Sequence, residues 1–535
     1  MNTTFMQKEL AKRVRQRASR WRAIATASAL VGAASLGACL DLQVDNPNSL
    51  GITNVFNNAA NAEAAMVGAW KAYSSVVQGT CPTLPLSVWG NDQTTTSTTY
   101  IDYSTEPRIP INNRDNLNCV TRNVYNVPYE AIAGAREAYQ GITGNNLKYG
   151  TINAATPNGS ATPSRLIFAK FIIAVAQLKH GLDIDQAFLT DVNTPQGFRG
   201  ETYTPYKEIV ANAIVKLREV IADARATPDF TFQPLWINNL AARLITRDEL
   251  IRICMSYIIR AEVYAARNVA DRAAVNWALV LARLDSGITR DFTQQADPTL
   301  ASTGSAYITN SFNNTTVRIS NRFLGPADTS GQYQAWIAKP LATRAAFIIT
   351  TPDRRIHGTT NALTGTRFLR QTSAMNSAQN GSYLLSSYRS IRYLNVSADS
   401  GSRTLIIYMS TDEMKFLRAE ALFRLGRLAE AAALINPSRV AAGLQPTTAA
   451  GIPAGRDCVP KKDDGTCGTL FDAIQYEKKI ELFPMAADVS WYDARGWGKL
   501  VPGTPFHAPV SGRELLTLGF PFYTFGGVGL PGSAP

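Results

Sequence analysis

Glu477 and Glu481 stand four residues apart in a stretch with helical periodicity, so both carboxylates share one helical face. Paired acids of this kind could work on a glycosidic bond. Lys478, Lys479 and Arg495 lie close by in sequence, and cations there point instead to a structural ion network that needs no substrate. The three histidines, His180, His357 and His507, fall singly in different segments, which supports neither a His-rich metal site nor a Cys-His nucleophile. No Cys-x-x-Cys zinc pattern, GxSxG elbow, GxxxxGK[ST] phosphate loop or dinucleotide fingerprint in its strand-helix context occurs. The expectation is no metal, no cofactor and no catalytic residue.

Holding a sugar is a different chemistry, done by aromatic faces with amide and carboxylate side chains on the hydroxyls. Trp89, Asn91, Asp92, Tyr100 and Tyr103 supply that mixture within one polar stretch, and Tyr333 with Trp336 supply a second group. Rings of these types also serve as core, so each has a packing reading beside the ligand-binding one.

The elements that would position these residues are helices in pairs: Ala60 to Val77 with Val124 to Ile142, and Ser164 to Leu182 with Pro205 to Ala226. Two more pairs follow, Arg247 to Arg267 with Asp271 to Asp285, and Thr411 to Leu425 with Ala429 to Ile435. In the third pair Leu250, Ile251, Cys254, Tyr257, Ile258, Ala261 and Val263 recur at three- and four-residue steps, the mark of a buried helical face. Short turns and alanine-rich contacts suggest tetratricopeptide-like hairpins, although no strict repeat of 34 residues is visible. Between the pairs, residues 78–122 and 292–410 are long polar stretches without helical periodicity, the kind of loop on which binding residues sit.

A hydrophobic content of 45% with 18% charged residues indicates a globular protein. Residues 1–38 hold seven Lys and Arg against Glu9 alone, half of the formal charge of +12. The rest is spread without a basic run, so no nucleic-acid partner is expected. After the basic stretch, Ala23 to Ala38 is an uncharged run of small and apolar residues ending in Leu36-Gly37-Ala38-Cys39, the shape of a signal peptide over 1–38. The last four residues resemble a bacterial lipobox, which makes Cys39 the lipidated mature N-terminus and 39–55 a polar tether. Five cysteines remain, an odd number, so one stays free. Cys254 reads as a small buried hydrophobe, and Cys81 with Cys119 and Cys458 with Cys467 each bracket a polar loop as disulfide candidates whose connectivity spacing does not establish.

Residues 409–444 carry a resemblance. Arg418-Ala419-Glu420-Ala421, Gly426, Ile435-Asn436, Arg439 and Ala442-Gly443-Leu444 fall in the order and spacing of a helical hairpin that resembles the SusD/RagB family. Glu477, Glu481, Asp493, Trp497 and Gly498 are similar to the family's second signature, with Lys478, Met485 and Asp488 standing where other residues are usual and two extra residues before Asp493. Thr204-Pro205-Tyr206 resembles the opening of the family's third or fourth helix, and Pro352-Asp353-Arg354-Arg355 its aspartate-proline-arginine turn with the order altered. The resemblance implies a mainly α, SusD-like fold over a single domain, 56–535, with insertions near 78–122 and 292–410. It also implies a lipid-anchored outer-membrane protein facing the outside, which binds a glycan or other nutrient and delivers it to a SusC-like TonB-dependent transporter. The loop after the first helix, with Trp89, matches the family's ligand-loop region. Two other classes stay open, a secreted helical-repeat interaction scaffold and a glycoside hydrolase.

Overall fold

Asn58 accepts a hydrogen bond from the Ala60 amide at 2.8 Å, which caps helix α1, Ala59–Gln78. The computed structural model describes residues 56–97, 100–112, 119–195, 197–198, 200–232, 244–295, 317–356, 367–370, 380–392, 405–485 and 487–535. The expected signal peptide over 1–38, the expected tether over 39–55 with Cys39, and His357 lie outside them.

Along α1, Ala62, Met66, Ala69, Trp70, Tyr73 and Val77 form one buried stripe. It packs on α3, Cys119–Gly144, where Gly134 lets the two backbones close: a Cβ there would stand 3.2 Å from the Ala69 Cβ. Between them in sequence runs the short α2, Thr80–Trp89. α4, Thr162–Asp183, is buried except at Pro163, Leu166 and Lys170, as a helix packed between neighbours must be; it contacts α3 and α5, Tyr206–Ala226. α6, Arg247–Tyr264, begins with a capping box between Thr246 and Glu249 and packs on α5. Trp70 is the hub of this half, with Phe168, Phe171, Phe292 and Tyr408 rings within 6.1 Å of its own.

The predicted single helix over 271–285 is instead two, α7 Val269–Ala273 and α8 Trp277–Leu284. Each has its own asparagine cap, Asn268 on the Asp271 amide and Asn276 on the Leu279 amide, and Arg272 is drawn inward to Glu420. Within the second polar stretch lie α9, Asn321–Leu324, and α10, Gln332–Ala338. The hairpin of α11, Thr411–Arg424, and α12, Leu428–Ala441, turns at Gly426, whose φ of +75° favours glycine. α12 runs past the predicted end at Ile435 and through Pro437, because Arg439 is anchored in the core by Glu477 and the Val459 carbonyl; Gly443, at φ +79°, then stops it. α13, Leu470–Leu482, α14, Ala487–Trp497, and α15, Gly512–Leu518, complete the helices among the described residues.

Strands are few and pair as two-stranded antiparallel ribbons. β1, Gln93–Thr95, pairs with β6, Val317–Ile319; β2, Ile111–Asn112, with β10, Thr524–Phe525; β3, Gln186–Ala187, with β4, Thr204–Pro205. β5, Phe292–Gln295, pairs with β9, Leu405–Met409, and β7, Phe368–Arg370, with β8, Tyr388–Ser390. The architecture is mainly α. The polar stretch 78–122 is less open than its composition suggests, since it contains α2, whose last residue, Trp89, is fully buried. Cys458 and Cys467 form a disulfide, Cys81 is also disulfide-bonded, and Cys254 is a buried free thiol. No helix among the described residues is long and apolar enough to cross a membrane.

Candidate functional site

Helix α13 has two faces with different work. It starts on a capping box, with the Thr469 amide donating to Asp472 at 2.9 Å and the Asp472 amide to the Thr469 hydroxyl at 3.2 Å. One face carries Glu477 and Glu481, and Arg355 Nη1 donates to both at 2.8 Å. Arg355 also holds Asp353 at 2.7 Å, and Arg439 adds a bond to Glu477 at 3.2 Å; Arg367 pairs with Glu481, and the Tyr476 hydroxyl donates to Asp353 at 2.6 Å. Burial pushes Asp353 and Glu481 up, but the guanidinium groups outweigh it and hold both below the usual carboxylate range. A general acid would need the opposite shift. The expected ion network is present with different partners: Arg355, Arg439 and Arg367 do what the nearby Lys478, Lys479 and Arg495 were expected to do.

Those three cations serve elsewhere. Lys478 pairs with Asp493 at 2.7 Å, Lys479 donates to the Gly90 carbonyl at 3.0 Å, and Arg495 donates to the carbonyls of Leu182, Tyr264 and Phe506. Arg272, fully buried, joins the two recognised signatures: it holds Glu420 of the α11 motif at 2.7 Å and Asp493 of the α14 motif at 3.0 Å, while the Trp497 indole donates to Glu420 at 3.3 Å. Both signatures are thus parts of one packed interior.

Trp89 packs its ring against Trp491 at 5.4 Å, Tyr103 at 5.6 Å and Phe525 at 6.4 Å. Tyr103 is buried with it, and Tyr100 beside it is partly exposed. Asp92 accepts from the Ser490 hydroxyl at 2.5 Å and has Lys479 at 3.6 Å. Asn91 adopts a left-handed φ of +63° and donates to the Lys499 carbonyl at 3.1 Å. Tyr333 and Trp336 stack at 6.1 Å, both buried, with Arg344 4.8 Å from the Trp336 ring. Two of these residues, Asn91 from the first group and Tyr333 from the second, line one cavity.

That cavity has a volume of about 640 Å³. Its walls come from Asp472, Gln475, Tyr476 and Lys479 of α13, Trp497 of α14, Phe323 and Tyr333 from α9 and α10, and a turn over Pro460, Lys461, Lys462, Asp463 and Asp464. Asp472, Gln475 and Lys479 are three and four residues apart, so they share the face of α13 turned away from Glu477 and Glu481. Gln475 is only 8% exposed, and neither atom of its amide has a hydrogen-bond partner among the described residues. The i, i+3, i+7 spacing was the signal that could have drawn attention to Gln475. Cys458 and Cys467 marked 460–464 as a bracketed polar loop, but nothing local marked it as a cavity wall, since it reaches α10 only through tertiary contacts. Among the described residues no group of His, Cys, Asp and Glu could hold a metal ion.

No family sequence model and no curated protein sequence matches the chain. Solved structures do. Surface glycan-binding protein A from Bacteroides uniformis superposes with a TM-score of 0.53 at 11% identity, covering 86% of this chain and 98% of that one. A SusD superfamily protein from Bacteroides thetaiotaomicron VPI-5482 matches with a TM-score of 0.50 at 13% identity over 86% of this chain and 96% of that one. Another from Bacteroides vulgatus ATCC 8482 gives 0.50 at 12% identity over 86% and 92%. The backbone likeness extends well beyond the two short signatures, and the chain is built on the fold of the SusD superfamily.

Proposed function

We propose that this protein is a cell-surface lipoprotein that binds a glycan and delivers it to a SusC-like TonB-dependent transporter in the outer membrane. The observation that carries this reading is the cavity on the SusD fold, where aromatic side chains and two amides converge beside a rigid ion network. One similar structure is that of a protein named for glycan binding at the surface, which agrees with a saccharide ligand. Binding fits better than turnover, because Glu477 and Glu481 are saturated by arginines. Asn91 and Tyr333 are placed at the ligand. Trp89, Asp92, Tyr103 and Trp336 are assigned to holding the segments that carry them, and Tyr100, partly exposed, lies outside the cavity lining.

Anchoring rests on Cys39, whose acylation would keep the body at the membrane, and delivery needs a partner because a lipoprotein without a spanning segment cannot move a solute across a bilayer. Pull-down of the acylated protein from outer membranes in mild detergent is expected to recover a large β-barrel receptor, and mass spectrometry to find acyl chains on Cys39. Repeated recovery without a barrel would remove the transport role, and an unacylated N-terminus the anchor.

A further inference from the structure

One wall of the cavity is a hairpin closed at its base by the Cys458–Cys467 disulfide. Inside it the Lys462 amide donates to the Thr466 carbonyl, the Gly465 amide to the Lys462 carbonyl and the Gly468 amide to the Pro460 carbonyl, each at 2.9 Å. It is docked on the body by the Lys461 amide on the Pro326 carbonyl at 2.7 Å and the Gln334 amide on the Lys462 carbonyl at 3.1 Å. A hairpin tied in this way is a fixed wall.

The charges on the lining cancel or are already committed. Arg322 is held by Glu106 at 2.8 Å, Lys479 by the Gly90 carbonyl at 3.0 Å, Lys461 by the Thr329 carbonyl at 3.3 Å, and Lys499 stands 3.8 Å from Asp472. Lys462 remains, beside Asp463 and Asp464 in the same turn. The lining carries five cations against Asp463, Asp464 and Asp472, but none of the five stands apart from a carboxylate or carbonyl, so no unengaged charge is left to recognise a charged ligand. What is left is neutral. Gln475 is 8% exposed, its amide has no partner for its donor or its acceptor among the described residues, and Asn91 has its oxygen free while its nitrogen is used. An amide in that state on a cavity wall gains from a group that both donates and accepts, as a hydroxyl does. The Trp497 and Tyr333 side chains in the same lining supply apolar surface for the carbon face of a ring.

We propose that the cavity is a site for an uncharged saccharide unit, held by the amides of Gln475 and Asn91 and enclosed by the disulfide-braced hairpin 458–467. This rests on the glycan-binding reading above and names the ligand class and the residues that choose it. The test is a printed array of neutral and acidic glycans probed with the full mature chain, followed by titration calorimetry with the best-bound neutral oligosaccharide. Neutral glycans are expected to bind. Gln475→Met, which keeps the volume and removes the amide, is expected to weaken that binding at least tenfold with an unchanged melting temperature. The Cys458→Ser/Cys467→Ser double variant is expected to weaken it as well while circular dichroism shows the fold retained. Wild-type affinity in Gln475→Met and in the cysteine variant overturns the site and leaves glycan binding standing. A preference for acidic glycans overturns the uncharged class, and a chain that binds no glycan overturns both readings.

Discussion

Arg355 donates to Asp353, Glu477 and Glu481 at once, and with Arg439 it makes Glu477 the acceptor of two buried guanidinium groups. Removing one member of such a cluster leaves the others charged in a place that water does not reach, so the cost is that of uncompensated charge more than of a lost contact. Glu477→Ala is therefore expected to lower stability by about 3–5 kcal/mol, read as a shift in the midpoint of urea unfolding at constant slope. An unchanged midpoint would show that Arg355 and Arg439 are satisfied without it. The structural role of the two glutamates was legible in the sequence, because flanking cations and a recognisable motif pointed to it. Their partners were not. Arg355 lies more than a hundred residues upstream, and only the fold brings it to α13. The same holds for Trp89: its residue type suited a sugar platform, and its burial against Trp491 and Phe525 arises from segments that meet only in the folded chain.

Helix pairs with long stretches of regular periodicity were readable, since a buried stripe at three- and four-residue steps can be seen without a neighbour; α1 with α3, α4 with α5, and α11 with α12 all pack as their patterns suggest. What periodicity misses are breaks set by a single polar cap. Asn276 starts α8 afresh within an apparently continuous pattern, and α2 is short and kinked within a polar surround. α13 shows how much can depend on one such cap, because its first turn positions both the cavity face with Gln475 and the ionic face with Glu477. Thr469 and Asp472 satisfy two amides reciprocally at its start. Thr469→Ala is expected to cost about 1 kcal/mol of global stability, as N-cap losses usually do, and to raise hydrogen exchange in the first turn of α13. Exchange in that turn matching the unmodified chain would mean that tertiary packing alone holds it.

At the scale of the whole molecule, the two described histidines make stability depend on pH. Burial pushes His180 down to about 4; its ring lies 4.3 Å from that of Tyr129, and Nε2 contacts the Tyr125 carbonyl at 2.8 Å. Burial, helped by the charges of Arg267 and Arg495, pushes His507 down to about 3. In the unfolded chain both would titrate near 6.5. Between that value and about 4 the unfolded state binds protons that the folded state refuses, so the stability these groups confer is fully present above 6.5 and is lost as pH falls toward the folded values. Asp185 works the other way. Burial lifts its carboxyl to about 6 against the pull of Tyr523 and Arg267, so the folded state takes up a proton there earlier and offsets one histidine. Asp412, Asp493 and Glu514, also raised chiefly by burial, add to that offset at lower pH. For the two histidines and Asp185 the balance from pH 7 to pH 5 is a net loss of about 2 kcal/mol, given roughly 1.4 kcal/mol per proton and pH unit. Below that range the carboxylates held down by arginine, Asp353, Glu420 and Glu481, must be protonated as well, and the fall should steepen. Urea unfolding of the mature chain at pH 7, 6 and 5 reads this directly, and His180→Gln is expected to flatten the upper part of the curve even where it lowers stability at every pH. Stability that held constant or rose from pH 7 to pH 5 would mean that the buried histidines accept protons in place.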